Sequence, residues 1–501
     1  MSAAAIRRLV ILGGGTAGWL AAAILARAFG RRLEISLVES AAIGTVGVGE
    51  ATIPQIRLVN QFLGLDEDAV LRASEATFKL GIEFRGWRRP DDAYMHAFGG
   101  IGIPLGTLPF HQYWLRRIHE GGELDLWDFS LNAAAAHAGR FLRRERWGAT
   151  PLPGINHAYH FDATLYARYL RQYAEGRGVR RIEGRVVDVE RDGETGFLRA
   201  LALEGGEPVA GDFFIDCSGF RALLIAGALG VGFADWSDWL PCDRAVAVAC
   251  ARTEPLLPYT QAIARPAGWQ WRIPLQHRIG NGHVYASAHM SDDEAVAILM
   301  AHLDGEPLGE PRLLRFKAGM REAVWEKNCL ALGLSSGFLE PLESTSIHLI
   351  QSGLERLLDL FPDRHCEPHL VAEYNRRTRL EFESVRDFLI LHYHANERDE
   401  PFWRERAARH IPPGLAERIA LFRASGRIHR RADELFTEAS WLQILVGQGI
   451  MPARHHPLAD SITATEMDEY FANIRTLIGR AVGGMPAHAD YVAQHCAAPS
   501  F

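Results

Sequence analysis

With 501 residues the chain exceeds one small core, so its length points to two or three domains, or to one extended α/β core able to enclose a large cofactor. Its 48 % hydrophobic and 23 % charged content is that of a globular protein, and a net charge of −7 without long runs points to neither nucleic acid nor an anionic membrane. Six scattered cysteines form no CxxC pair and follow no secretory leader, and no apolar run approaches the roughly 18 to 20 residues of a membrane span, so a cytoplasmic protein with reduced thiols is expected.

The chain opens with Val10-Ile11-Leu12, then Gly13-x-Gly15-x-x-Gly18, then an apolar helical run from Leu20 to Leu25. This is the order strand, tight turn, buried helix. The first glycine permits the turn, the second lets the backbone approach a pyrophosphate, and the third lets helix and strand pack, with the helix N-terminus facing the phosphates. A second apolar strand, Leu33 to Val38, ends at Glu39, 21 residues after Gly18, where an acid would accept ribose hydroxyls. A Gly-rich loop, Gly47-Val48-Gly49-Glu50-Ala51-Thr52-Ile53-Pro54, ends in a proline suited to opening a helix. Helical patterns follow, through Phe62 and from Val70 to Phe78.

From about 90 to 150 the rising Gly, Pro and aromatic content reads as long loops and short helices over a surface, of the length that usually carries function. His160-Phe161-Asp162 opens an amphipathic helix through Leu165, Tyr169 and Leu170. Strands follow through Val186 to Val189 and Phe213 to Ile215, the latter running into Asp216-Cys217-Ser218-Gly219-Phe220, a second contact of the fold with a cofactor. Strand-like sequence from Asp243 to Ser287 suggests an inserted antiparallel layer. After about residue 350 the pattern is helical almost to the end.

Three downstream stretches could carry chemistry. Ala76-Thr77-Phe78-Lys79-Leu80 sets one lysine among apolar neighbours: a stem resting on a core edge, or a desolvated amine able to act as donor or nucleophile. Trp269-Gln270-Trp271-Arg272-Ile273-Pro274 alternates as a strand with both indoles on one face, which core packing alone would also produce. In Glu340-Pro341-Leu342-Glu343-Ser344-Thr345-Ser346-Ile347, the helical spacing of Ile347, Ile350 and Leu354 puts Ser344 to Ser346 at a helix start, an anion site, with Glu343 beside it. A capping box with an accessory acid is the plain alternative. A metal site is disfavoured, since His392-x-His394 and His365-x-x-x-His369 have no companion ligands, and no Gly-x-Ser-x-Gly elbow supports a hydrolase.

Taken in order, Gly13-Gly14-Gly15-Thr16-Ala17-Gly18-Trp19, Gly47-Val48-Gly49-Glu50-Ala51-Thr52, Ala76-Thr77-Phe78-Lys79, Trp269-x-Trp271-x-Ile273-Pro274, Pro341-Leu342-Glu343-Ser344-Thr345 and Arg386-Asp387-Phe388 with His392-Tyr393 resemble the flavin-dependent halogenases of the tryptophan-halogenase family, over roughly residues 5 to 450. The resemblance implies an α/β fold: an FAD-binding, monooxygenase-type box with an inserted antiparallel sheet, under a mainly α-helical pyramid. The box would span 1–360, its loops of about 90–150 contributing to the substrate side, and the helical cover 361–501. It implies FAD, used as FADH2 from a separate flavin reductase, and chloride or bromide oxidised to hypohalous acid that crosses a tunnel to a small aromatic substrate.

Carried over by position, Lys79 would hold or capture the halogenating species and Glu343 would stabilise or deprotonate the ring cation. Thr345 and Ser346 would bind halide. FAD would lie along Gly13, Gly15, Thr16, Ala17, Gly18, Glu39, Glu50, Ala51, Val186, Leu334 and Ile347, with Trp269, Trp271, Ile273, Pro274 and Phe338 lining box or tunnel. Two departures stand out. The family's Thr-Gly halide pair is Thr345-Ser346 here, and Leu435-Phe436-Thr437-Glu438-Ala439-Ser440 stands where enzymes acting on free tryptophan carry a Tyr-Tyr pair, an acid and a Phe-Trp-x-x-x-Asn run. Free tryptophan is therefore expected to be a poor substrate beside indole or another electron-rich ring without a zwitterion, because burying an unpaired ammonium and carboxylate is costly. The alternatives are a flavin monooxygenase hydroxylating an aromatic and a non-catalytic flavin-binding protein. The oligomeric state is left open, a homodimer included.

Overall fold

The computed structural model describes residues 5–40, 49–148 and 150–499. Gly47 and Val48 of the Gly-rich loop lie outside the described residues. The strand Arg8–Leu12 sits inside a six-stranded sheet, between Glu34–Glu39 and Phe213–Asp216, with Arg180–Glu183 beyond the former and Cys329–Ala331 and Trp325–Glu326 beyond the latter. All pairings are parallel except the last, at the edge. A parallel sheet needs crossover elements on its faces, which is why these strands are apolar on both sides. The helix Thr16–Phe29 supplies one cover and buries every residue from Gly18 to Ala26, packed against the helices Ala163–Glu175 and Ser346–Asp359.

The inserted layer is larger than the stretch from Asp243 to Ser287 suggests. It has seven strands in the order Arg312–Arg315, Arg244–Ala251, Arg278–Tyr285, Gly268–Pro274, Thr260–Arg265, Gly81–Arg85 and Ala93–Ala97, antiparallel except where Thr260–Arg265 runs parallel to Gly81–Arg85. Two expectations are corrected here. The helical pattern from Val70 to Phe78 stops at Ala73, in the helix Glu67–Ala73; Glu75 turns the chain at φ 54° and Thr77–Lys79 is a strand. The stretch after residue 90 begins not as loop but as the edge strand Ala93–Ala97. In both places sheet pairing overrides a local pattern too short to distinguish period 2 from period 3.6.

Thr77–Lys79 belongs to a three-stranded antiparallel sheet with Ala158–Asp162 at its centre and Gly49–Ala51 on its other edge. This small sheet joins the nucleotide part to the inserted layer. It carries Glu50 on one edge and Lys79 on the other. Asp162, expected inside a helix start, ends the central strand and caps the helix Ala163–Glu175 by accepting from the backbone of Thr164 and Leu165. The C-terminal part is helical, led by the 27-residue helix Pro368–His394, whose inner face buries Phe382, Phe388, His392 and Tyr393. Among the described residues no helix is long and apolar enough to cross a membrane.

Candidate active site

A cavity of about 830 Å³ begins at the nucleotide turn and ends at the tryptophan strand and the turn after Pro341. Its first wall is backbone. Gly13 adopts φ 114°, and a Cβ there would meet the Cys217 carbonyl oxygen at 2.2 Å; a Cβ on Gly18 would meet the Gly13 carbonyl oxygen at 1.8 Å. A Cβ on Gly15 would touch nothing within 4 Å, so that glycine faces open space at the start of the helix Thr16–Phe29, where free N–H groups favour an anion. Thr16, Ala17, Glu39, Glu50, Ala51, Val186, Leu334 and Ile347 all line the cavity, whereas Gly18 packs behind it. Glu39 is paired with Arg181. Glu50, half-buried near Asp162, has its carboxyl pushed up to about 7 by burial first and that neighbouring charge second.

The Cys217-Ser218-Gly219 turn reaches this wall because Asp216 anchors it. One carboxylate oxygen accepts from Ser218 N–H and Oγ, and the other from the backbone of Leu224 and Ile225. Opposite, Trp269, Trp271, Ile273 and Phe338 face the cavity. Gln270 and Arg272 point away, to Arg265 and Gln261. Pro274 lies outside the cavity lining, and its carbonyl oxygen accepts from Thr77 Oγ1 at 2.6 Å.

Beyond this wall lie Lys79 and Glu343, 0 % and 1 % exposed. Lys79 Nζ donates to the Thr52 carbonyl oxygen at 3.0 Å and to Ser344 Oγ at 2.7 Å, and lies 5.4 Å from the centre of the Phe98 ring. Burial lowers its pKa to about 7, against the pull of Glu343, so at neutral pH the nitrogen is poised between amine and ammonium. Glu343 closes the one-turn 3-10 helix Pro341–Glu343, and Ser344 then takes the left-handed conformation at φ 57° before the helix Ser346–Asp359 starts. That costly backbone turn sets a buried carboxylate next to the hydroxyl that anchors Lys79.

Burial alone would raise the Glu343 pKa. His96 Nδ1 at 2.7 Å and His392 Nε2 at 2.9 Å, one on each carboxylate oxygen, overcome that and hold it at about 2. His392 Nδ1 in turn meets Tyr94 Oη at 3.0 Å. Thr345 opens the following helix without a capping hydrogen bond, and its Oγ1 is buried without a partner among the described residues. The capping-box alternative therefore does not describe this turn, which instead leaves a free hydroxyl beside free helix N–H groups. Ser344 and Ser346 line the cavity; Thr345 does not.

Sequence reasoning missed the partners of these two groups. Tyr94 and His96 share the strand Ala93–Ala97, while His392 and Thr52 come from two other segments, and nothing in their spacing ties any of them to Lys79 or Glu343. It also missed His160, buried under Lys79. Thr77 Oγ1 spends its proton on the Pro274 carbonyl, so His160 Nδ1–H donates to Thr77 while Nε2 accepts from Thr260 Oγ1, which fixes one neutral tautomer. Burial and the nearby Lys79 keep that imidazole uncharged.

The model of the family described as tryptophan halogenase matches residues 8–464. The chain is 36 % identical to the tryptophan 6-halogenase of Streptomyces toxytricini, over 97 % of this chain and 98 % of that protein. Among solved structures it resembles a flavin-dependent halogenase from Xanthomonas campestris, at 48 % identity and a TM-score of 0.96 over 99 % of this chain and all of the other. A flavin-dependent halogenase from Brevundimonas sp. BAL3 is similar at 47 % identity and a TM-score of 0.95, with 99 % and 100 % covered.

Proposed function

The chain belongs to the tryptophan halogenase family and is a flavin-dependent halogenase, and from that premise we propose that Lys79 and Glu343 carry the halogen transfer, to an indole-like ring without a zwitterion. The cavity residues suit FAD: a backbone cradle at Gly13 and Gly15, helix N–H groups at Thr16 and Ala17 for the diphosphate, Glu39 for the ribose, and Glu50, Ala51, Val186, Leu334 and Ile347 along the remainder. Bound as FADH2 from a separate reductase, the flavin contributes two electrons and the halide two, reducing O2 to water and hypohalous acid.

Halide sits at Thr345 and Ser346, where helix N–H groups and the partnerless Thr345 hydroxyl favour a small anion. Trp269, Trp271, Ile273 and Phe338 separate the cofactor from the ring to be halogenated, so that only a small neutral oxidant passes. Lys79 receives that oxidant. Two of its three donor positions are fixed by Thr52 and Ser344, and the third holds the hypohalous oxygen. The ring gives an electron pair to the halogen, the O–X bond breaks, and the ammonium of Lys79 supplies the proton that turns departing hydroxide into water. Glu343, held ionised by two imidazoles, stabilises the ring cation and removes its proton. Proton return from Glu343 to Lys79 completes the cycle.

The observation that carries this reading is that one turn serves both groups: Ser344 anchors Lys79, and the adjacent buried Glu343 is close enough to act on its charge. A hydroxylase would have no use for a buried lysine of this kind. The acceptor preference rests on the segment from Leu435. Leu435 packs against Ile53 and Phe98, and Phe436 stacks on Phe388 at 3.7 Å. Of the nearby charges, Glu434 pairs with Arg418, and Arg430 donates to the Glu434 carbonyl. Residues 1–360 form the box and 361–501 the helical cover, in a cytoplasmic enzyme. Turnover of indole and of free tryptophan under equal reductase supply tests the substrate; efficient tryptophan halogenation would refute it.

A further inference from the structure

A second buried carboxylate lies three residues before Glu343. Glu340 is fully buried, and one of its oxygens, Oε2, accepts from Trp269 Nε1 at 2.9 Å and from the Tyr393 hydroxyl at 2.5 Å. Its other oxygen, Oε1, has no partner among the described residues. Tyr393 follows His392 on the long helix, so two consecutive helix residues grip the two carboxylates of one turn, His392 on Glu343 and Tyr393 on Glu340. Trp269 belongs to the strand that walls the cavity. Glu340 therefore ties together the wall, the turn bearing Glu343 and Ser344, and the helix behind both.

We propose that Glu340 is a positioning residue: as a neutral carboxylic acid it pins the Trp269 indole and the Pro341–Glu343 turn together, so that oxidant leaving the flavin side reaches Lys79 instead of escaping. This rests on the passage role given to Trp269 above. Full burial with no ion-pair partner among the described residues favours the neutral acid, against the two donors that converge on Oε2. The titratable groups facing Glu340 are the Tyr393 hydroxyl on the long helix and the Cys242 thiol, 3.7 Å from Tyr393 Oη; burial pushes both up and keeps them neutral. Arg406 acts on Cys242 and is not among the groups that perturb Glu340. Burial first, against the Tyr393 and Trp269 hydrogen bonds, raises the Glu340 pKa to about 7. A carboxyl raised in the fold binds its proton more tightly there than in the unfolded chain, so its stabilising contribution is lost as pH rises from the ordinary 4.5 to about 7.

The test uses the full enzyme with a flavin reductase, bromide and indole, and reads brominated indole per FADH2 oxidised. Glu340→Gln keeps an acceptor for Trp269 and Tyr393 and retains the wild-type ratio; Glu340→Leu lowers it roughly tenfold to hundredfold, the scale of a misplaced reacting geometry, while FADH2 oxidation continues. An unchanged ratio in Glu340→Leu, or a loss in Glu340→Gln as large as in Glu340→Leu, overturns the proposal. A reading independent of turnover is the fall in Tm between pH 5 and pH 8, which is smaller in Glu340→Gln than in the wild type; an equal fall overturns it even if Glu340→Leu does not fold. Trp269→Ala separates the two ideas. Uncoupling there without uncoupling in Glu340→Leu defeats only the role of Glu340, whereas no effect of Trp269→Ala defeats the passage reading and the proposal with it.

Discussion

The two ends of the catalytic cavity are built from different materials. At the nucleotide end the protein offers backbone: glycines whose missing Cβ atoms make room, helix N–H groups, and a turn fixed by Asp216. Beyond the other end lie buried ionisable side chains, Lys79, Glu343, His96, His392 and Glu340, each at an unusual protonation balance or serving to set one. For a large, charged cofactor the nucleotide end offers shape, dipoles and the rim arginines Arg168, Arg171, Arg185, Arg221 and Arg315. A small reactive oxidant and a ring cation require charges placed to within an ångström or so in a dry site. The difference teaches that binding and chemistry can be broken separately in this chain.

The largest separation comes from the nucleotide end. Gly13→Ala forces a side chain against the Cys217 carbonyl at a positive φ, so flavin retention is lost and with it all turnover, while the small sheet bearing Lys79 stays intact. Equilibrium dialysis against FAD and circular dichroism read the two parts. At the other end, Glu343→Gln keeps the shape of the side chain but removes its charge. Halogenation slows by roughly 10² to 10³, the scale for one electrostatic group at a developing charge, with FADH2 oxidation unchanged in stopped flow.

Smaller effects sharpen the comparison. His392→Phe keeps a ring but deprives Glu343 Oε1 of its donor, so the carboxylate pKa rises and product formation falls by about tenfold, as expected for about 1.4 kcal/mol. The acid limb of the pH–rate profile moves to higher pH. In the wild type, Glu343 has a folded pKa below its ordinary value, so the stability it contributes is present above about 4.5 and is lost as pH falls toward 2. Lys79 runs the other way. Its folded pKa of about 7 lies below its ordinary 10.5, so the cost of burying the ammonium is carried at acid pH and relieved as pH rises through that window. If the ammonium supplies the proton to departing hydroxide, product formation falls by less than tenfold between pH 7 and 8 while flavin binding does not change. A flat profile in single-turnover product yield would contradict that role.

The same contrast explains what could be read from the chain alone. Gly13, Gly15, Gly18 and Glu39 form a local motif whose geometry follows from neighbours in sequence. Lys79 and Glu343 were legible mainly through resemblance, since an apolar-flanked lysine and a Pro-Leu-Glu turn each have ordinary explanations. Their partners were not legible: His96 lies 247 residues from Glu343 and His392 lies 49 from it, and only tertiary packing brings the three together. The strands Thr77–Lys79 and Ala93–Ala97 were hidden for a related reason. Their pairing partners, Ala158–Asp162 and Gly81–Arg85, impose the extended form on stretches too short to reveal it.

Oxidant is made in one region of the proposed enzyme and used in the other, with Lys79 as the receiver. The direct measurement is a single turnover of Lys79→Ala with preformed FADH2, O2, bromide and indole, following flavin reoxidation, brominated indole and hypobromous acid caught by a trap in solution. The expected result is wild-type reoxidation, oxidant appearing in the trap, and no brominated indole. Undiminished bromination by Lys79→Ala would contradict it.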